Sequence, residues 1–254
     1  MKEVLWEILW LGIPAVLGYL FGVLKRLTKK NFFKKVLRFN INKPEESSLK
    51  FITANTDQKD NEELVTYGFV FEYRAAGELG STLAKLYGPK FKISTSMSKS
   101  TYDYSYAQLD TNLIVIGGPF HNAVTRNFFH RMGESLPFSF DEDASLVYNG
   151  THQCKAARFT PKVIDNSYYG EDYALIMNVK NPLNPEKRVI FISGCRSIGC
   201  YGGAIFLSQQ LRELKGVKLA DEYALVVSCC GDAEDLNSRP RLVAHFPLDI
   251  KYSE

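Results

Sequence analysis

The chain has few cysteines and none of the common nucleotide signatures. Its five cysteines, Cys154, Cys195, Cys200, Cys229 and Cys230, form neither a pair of CxxC knuckles nor a regular spacing. That excludes a disulfide-built scaffold and a zinc site of standard ligand spacing, and it predicts reduced thiols in a reducing compartment. No GxxxxGK[ST] occurs, which argues against a P-loop NTPase, and no GxGxxG is followed by a suitably spaced acid, which leaves a dinucleotide cofactor unsupported. Internal repeats and low-complexity tracts are absent. The formal net charge of +3 is modest and unevenly spread and by itself says nothing about nucleic acid, which is not an expected partner.

What the chain does have is an apolar N-terminal run. From Val4 to Leu24 only Glu7 is charged. Ile8–Leu24 alone would span about 25 Å as a helix, and Val4–Glu7 bring it near a hydrocarbon thickness of about 30 Å. Trp6 and Trp10 lie near one end and Tyr19 nearer the other, as interfacial aromatics do. Lys25, Arg26, Lys29, Lys30, Lys34, Lys35 and Arg38 follow without an acid, whereas only Lys2 and Glu3 precede the run. This bias predicts a single-pass transmembrane anchor over residues 1–24, with the lipid bilayer as partner and the bulk of the chain cytosolic. Residues 25–60 read as a basic juxtamembrane linker. A cleaved signal peptide would need positive charge before the run and a small-residue cleavage site after it, and neither is present. A buried core helix is the alternative, since Glu7, Gly12, Pro14, Gly18 and Gly22 weaken the segment. Gly18 and Gly22 form a GxxxG, a route to a homodimer.

Residues 61–254 read as one α/β domain. Tyr67–Arg74 alternates and is rich in β-formers, so a strand is expected there, with a helix over Ala76–Tyr87. Asn112–Ile116, Arg188–Ser193 and Ala224–Ser228 are short continuous apolar runs, the pattern of buried parallel strands. Helices are expected over Asn122–Met132 and Gly199–Leu214, and an edge strand over Leu242–Phe246. Strand-like pieces between about 134 and 181 suggest an antiparallel flap. The expectation is a Rossmann-like three-layer domain with a mostly parallel sheet and that flap inserted.

Two strand ends carry the candidate ligand site. The first runs through Gly117, Gly118 and Pro119 to Asn122 and Thr125, where a helix start would offer N–H groups to an anion. Asn122 and Thr125 stand where they can cap that helix or touch the ligand. The second holds Gly194, Gly199, Cys200, Gly202 and Gly203 around another strand-to-helix crossing. Ligands of open α/β sheets bind outside the carboxyl ends of the strands, so both could line one pocket, with Ala76–Ser81 as a third wall. The bland alternative is that these glycines only make turns and allow close helix–sheet packing.

The pairing of GGPxxNxxT (Gly117 to Thr125) with NPxNPxKRVIxxxG (Asn181 to Gly194) and a glycine-rich helix start resembles a recurring prokaryotic Rossmann-like module. It is similar to segments of archaeal S-layer-like proteins and of membrane-anchored bacterial proteins. The resemblance covers residues 77–207 and implies a nucleotide-like ligand, without attaching a catalytic set. Thr is common where Cys200 stands here, so one hydroxyl contact is lost from the implied pattern.

Cys195 follows a strand end, where a nucleophile could be exposed, with His121 or His152 as conceivable bases. A small packed cysteine is the simpler reading. Asp141, Glu142, Asp143, Glu171 and Asp172 read as solvated loop charges, and the tyrosines of residues 101–108 either stack a base or pack under a loop. Three functions stay open. The first is a membrane-anchored cytosolic domain that binds a nucleotide-like ligand. The second is a hydrolase or transferase using Cys195 or a pocket carboxylate. The third is a structural envelope protein, in which case Asn149-Gly150-Thr151 would be a glycosylation acceptor. The sequence names no cofactor.

Overall fold

The computed structural model describes residues 2–39, 48–54, 62–88, 91–98, 109–151, 158–164, 168–232 and 235–252, for some of which, including 2–16 and 62–69, only the backbone is described. The chain divides into two compact units, Met1–Arg38 and Phe39–Glu254.

The first unit is one helix, α1 (Lys2–Leu37), of 36 residues. At 1.5 Å per residue it is about 54 Å long. It runs through the apolar segment and on into the basic stretch expected as linker. Lys34 and Lys35 sit in its last turn, where cations suit the negative end of the helix dipole. Leu17, Tyr19, Leu20, Phe21, Leu24 and Leu27 are all exposed. Among the described residues no helix meets the length and hydropathy needed to cross a membrane.

The second unit is mixed α/β, with the parallel strands on one side of its main sheet, antiparallel strands on the other, and a separate antiparallel sheet. Its elements are β1 (Ser48–Ala54), α2 (Glu62–Tyr87), β2 (Lys92–Ser98), β3 (Asn112–Ile116), α3 (Ala123–Met132), β4 (Phe138–Phe140), β5 (Leu146–Tyr148), β6 (Arg158–Phe159), β7 (Lys162–Val163), β8 (Tyr168–Asn181), β9 (Asn184–Gly194), α4 (Ser197–Gln209), β10 (Glu222–Asp232) and β11 (Arg241–Leu248). The main sheet runs β11-β10-β8-β9-β3-β1-β2, with β7 added beside β8. Strands β2, β1, β3 and β9 are mutually parallel, while β8 is antiparallel to both β9 and β10, and β11 is an antiparallel edge.

Several sequence expectations need correction. Tyr67–Arg74 is helical, not a strand, because it belongs to α2. Phe71, Ala75, Leu79 and Leu83, four residues apart, are at most 1% exposed, so a helical buried stripe overrides the local β-forming composition. Ala76–Ser81 therefore lies inside a helix and supplies no strand-end wall. Strand β1 falls within the expected linker; Leu49, Phe51 and Ile52 are buried, as suits a strand covered on both faces. The inserted antiparallel sheet is only β4-β5-β6, and β8, expected within the flap, belongs to the main sheet.

Alternation along the strands sorts the helices to two faces. Val124, Phe128 and Met132 of α3 pack with Leu113, Val115, Val189 and Phe191. The Phe128 and Phe191 rings meet edge-on at 5.9 Å. Helix α4 lies on the opposite face, where a Cβ on Gly203 would stand 2.7 Å from Ile192 and 3.1 Å from Ala174. Helix α2 packs beside it, with Phe71 and Tyr201 at 5.7 Å.

The NPLNP stretch makes the β8–β9 hairpin turn at the amino end of β9, away from Gly194. Asn181 Oδ1 accepts the Leu183 N–H, and its Nδ2 donates to the Leu109 and Thr111 carbonyls at 2.7 and 2.8 Å. Arg188 is buried, donates to Asn178 Oδ1 at 3.0 Å and pairs with Asp221. This half of the sequence pattern ties strands together.

Candidate functional site: the crevice between β3 and β9

Strands β3 and β9 are parallel neighbours, Ile116 beside Ile192, and the helices that follow them go to opposite faces. In open α/β sheets ligands bind at such a switch point, outside the carboxyl ends of the strands. It brings the two glycine-bearing segments together. The Gly117 N–H donates to the Ile192 carbonyl at 3.0 Å, and Ser193 Oγ donates to the Gly117 carbonyl at 3.2 Å. Gly117 has φ +120°, a conformation that favours glycine. A Cβ on Gly118 would lie 3.4 Å from the Gly194 carbonyl oxygen.

The turn from Gly118 through Pro119 is braced from within. Asn122 is the N-cap of α3: its side chain accepts the Val124 and Thr125 N–H groups and donates to the Ile116 carbonyl at 3.0 Å. Thr125 Oγ1 donates to the Gly117 carbonyl at 2.9 Å. Both residues are fully buried. Their polar atoms hold the loop in shape, so of the two roles open to them the capping role is the one visible.

The start of α4 is likewise engaged. Arg196, its N-cap position, makes no side-chain cap, and the carboxylate of Asp172 on β8 takes that place. Asp172 accepts the Gly199 N–H at 2.6 Å and the Arg196 N–H at 3.2 Å. A carboxylate there suits the helix dipole. Asp172 is fully buried, which corrects its reading as a solvated loop charge. Burial pushes its carboxyl up to about 7, against the opposing pull of the Tyr173, Gly199 and Arg196 N–H groups.

Close approach accounts for the second set of glycines. A Cβ on Gly194 would strike the Arg196 carbonyl and the Cys200 amide nitrogen, and one on Gly199 would stand 2.5 Å from the Tyr173 carbonyl. At Gly202 it would meet Cys229 Sγ at 2.5 Å. Cys200 Sγ accepts the Gly194 N–H at 3.1 Å, inside the protein. Cys195 is buried as well, its Sγ 3.7 Å from the Phe159 carbonyl of β6. Burial, followed by the Asp172 charge, raises the Cys195 thiol well above the ordinary range, the opposite of what a thiolate nucleophile needs. Among the described residues no group of His, Cys, Asp or Glu is arranged to hold a metal ion. His152, Cys154 and the tyrosines of 101–108 lie outside the described residues.

The mouth of the crevice is cationic. His121, exposed in the turn before α3, has its imidazole held below the ordinary value by partial burial and then by the charges of Arg126 and Arg196. Arg126 donates from Nε to the Pro119 carbonyl at 2.9 Å and from a terminal nitrogen to the Phe120 carbonyl at 3.2 Å. Arg196 is exposed, and Phe120 is 52% exposed beside them. Arg126 and Arg196 thus both act on His121, and positive charge of this kind near a strand end favours an anion. Sequence reading weighed His121 only as a base and passed over both arginines; their position next to the glycine turns was the available signal. Compared with known protein families and with curated proteins, the chain matches none.

Proposed function

We propose that this protein is a membrane-anchored domain that binds an anionic, nucleotide-like small molecule in the crevice between β3 and β9. One observation carries the reading. Two glycine turns meet at a switch point, Gly118 against the Gly194 carbonyl, and the charges of Arg126 and Arg196 both act on His121. The resemblance of the Gly117–Thr125 and Asn181–Gly194 patterns to prokaryotic Rossmann-like modules supports the same ligand class. Helix starts that receive their own caps from Asn122 and Asp172 leave the anion to the arginine side chains and the Gly118 turn.

The anchor is part of the proposal. Apolar residues exposed along α1 from Leu17 to Leu24 would meet lipid, and the basic turns beyond them would stay on the cytosolic side. Gly18 and Gly22 face open space, so two such helices could approach there as a homodimer.

The experiment is mass spectrometry, under denaturing conditions, of small molecules that co-purify with the detergent-extracted full chain, together with a titration by inorganic pyrophosphate. Saturable pyrophosphate binding that falls several-fold in Arg196→Ala, at an unchanged melting temperature, is expected. No co-purifying anion and no saturable binding to the parent would overturn the reading.

A further inference from the structure

Along the later turns of α4, Tyr201, Ile205, Gln209 and Gln210 line one wall of a cleft of about 370 Å³. Segment 235–240 forms the other wall. The volume suits a small ligand, whose sites run from about 300 to 1,000 Å³. Gln210 is the informative side chain. It is only 6% exposed, yet its carboxamide makes no hydrogen bond to any described residue. Its amide atoms are not sealed from solvent either, and Gln210 is one of the residues that line the cleft. Buried amides are otherwise paired, and this one offers a donor and an acceptor side by side.

The surroundings of Gln210 are held in place. The Tyr201 ring is backed by Phe71 at 5.7 Å and by the Arg74 guanidinium at 5.8 Å. Gln209 Nε2 donates to Glu78 Oε1 at 3.0 Å. On the opposite wall Ser238 Oγ accepts the Cys230 N–H at 3.1 Å, the Asn237 N–H donates to the Cys230 carbonyl, and Pro240 is buried. Arg239 is exposed on that wall. A preformed cleft loses little freedom when it is filled.

We propose that this cleft is a second binding site, for a nucleoside monophosphate. A flat heteroaromatic base lies against Tyr201 and Ile205, the Gln210 carboxamide reads its edge, and Arg239 meets the phosphate. Aromatic side chains accept any base by its π-face, and an amide matches the paired donor and acceptor of a base edge. Guanidinium is the group suited to a phosphate. The site goes beyond the crevice reading and does not depend on it, since it uses none of Gly118, Gly194, Arg126 or Arg196.

Calorimetric titration in detergent of the full chain carrying Arg196→Ala, which weakens anion binding in the crevice, with the four nucleoside monophosphates, their nucleosides and ribose 5-phosphate tests this. At least one nucleotide and its nucleoside should bind saturably, and ribose 5-phosphate should not compete. Gln210→Leu should weaken both about tenfold. In this background Arg239→Ala should weaken the nucleotide and spare the nucleoside. Because Gln210 is buried, its variant is read only if its melting temperature matches the parent's; the exposed Arg239 decides otherwise. The proposal is overturned if no nucleotide binds, if ribose 5-phosphate binds as well as the nucleotide, or if a folded Gln210→Leu binds like the parent. It is equally overturned if Arg239→Ala changes nothing in this background.

Discussion

Asp172 accepts the backbone N–H of Gly199 at 2.6 Å, so a side chain on β8 caps the helix that leaves β9. A Cβ on Gly199 would stand 2.8 Å from that same carboxylate oxygen, so the pair is matched: the glycine makes room for the acid. The contact locks α4 at the edge of the crevice and sets the backbone of Arg196.

This pair gives stability a defined pH dependence. The Asp172 carboxyl is raised from 3.8 to about 7 by burial. A raised acid binds its proton more tightly folded than unfolded. Its contribution is therefore complete below about pH 4 and is lost as pH rises through about 7. Melting temperatures of the parent should fall between about pH 4 and 7 relative to those of Asp172→Asn and level off above. Parallel profiles for the two proteins would remove Asp172 as the source. Asp172→Ala, which orphans buried N–H groups, should cost about 1–3 kcal/mol at any pH.

The glycines should separate by what surrounds them. Gly194→Ala drives a methyl group into backbone and should destabilise by about 1–3 kcal/mol, as overpacking does. Gly118→Ala meets only the Gly194 carbonyl at 3.4 Å and should cost less than Gly194→Ala in a denaturant titration. The reverse order would contradict the packing described for the two turns.

Asn122→Ala removes the cap of α3 and the bond to the Ile116 carbonyl together. A loss of about 1–2 kcal/mol is expected from the cap alone. Since Asn122 is fully buried, pyrophosphate affinity measured well below the melting temperature should change little. A large drop in affinity with no loss of stability would place Asn122 in contact with the ligand.

Thiol reactivity tests the cysteines. Cys195, Cys200 and Cys229 are buried with raised thiols, whereas Cys230 is partly exposed. Alkylation of the native protein at pH 8, mapped by peptide mass spectrometry, should modify Cys230 well before these three. Rapid modification of Cys195 below pH 7 would restore the nucleophile reading.

Membrane orientation has its own measurement. A membrane-impermeant thiol reagent should label Lys59→Cys above the parent background only after cells are permeabilised. Labelling in intact cells would reverse the orientation and favour the envelope reading.

Much of the domain was legible from local pattern. NLIVI, RVIFIS and ALVVS are buried strands, since a run apolar on both faces leaves few other places to sit, but ALVVS is antiparallel to both neighbours and not parallel as expected. The turn Gly117-Gly118 and the Asn122 cap also followed from residue type. Strand β1 was missed because SLKFITA shows neither a long apolar run nor clean alternation. At Tyr67–Arg74 the composition favoured a strand, and only the stripe continued through Leu79 and Leu83 identifies the helix.

By itself the sequence determined the features encoded within a few residues: the apolar helix at the N-terminus, the buried strands, the glycine turns and one helix cap. The tertiary structure alone decided which of these meet. Ser193 and Gly117 are 76 residues apart and Asp172 and Gly199 are 27 apart, so neither contact has a local signature. Asp172 looked like a loop charge because its type and neighbours suit solvent. Placing β8 between β9 and β10 buried it against the start of α4, and the N–H groups it found there are what allow a carboxylate to stay inside. The same placement sent NPLNP to the far end of the sheet and put Ser193 beside Gly117, because strand order, not sequence spacing, sets what lies beside what.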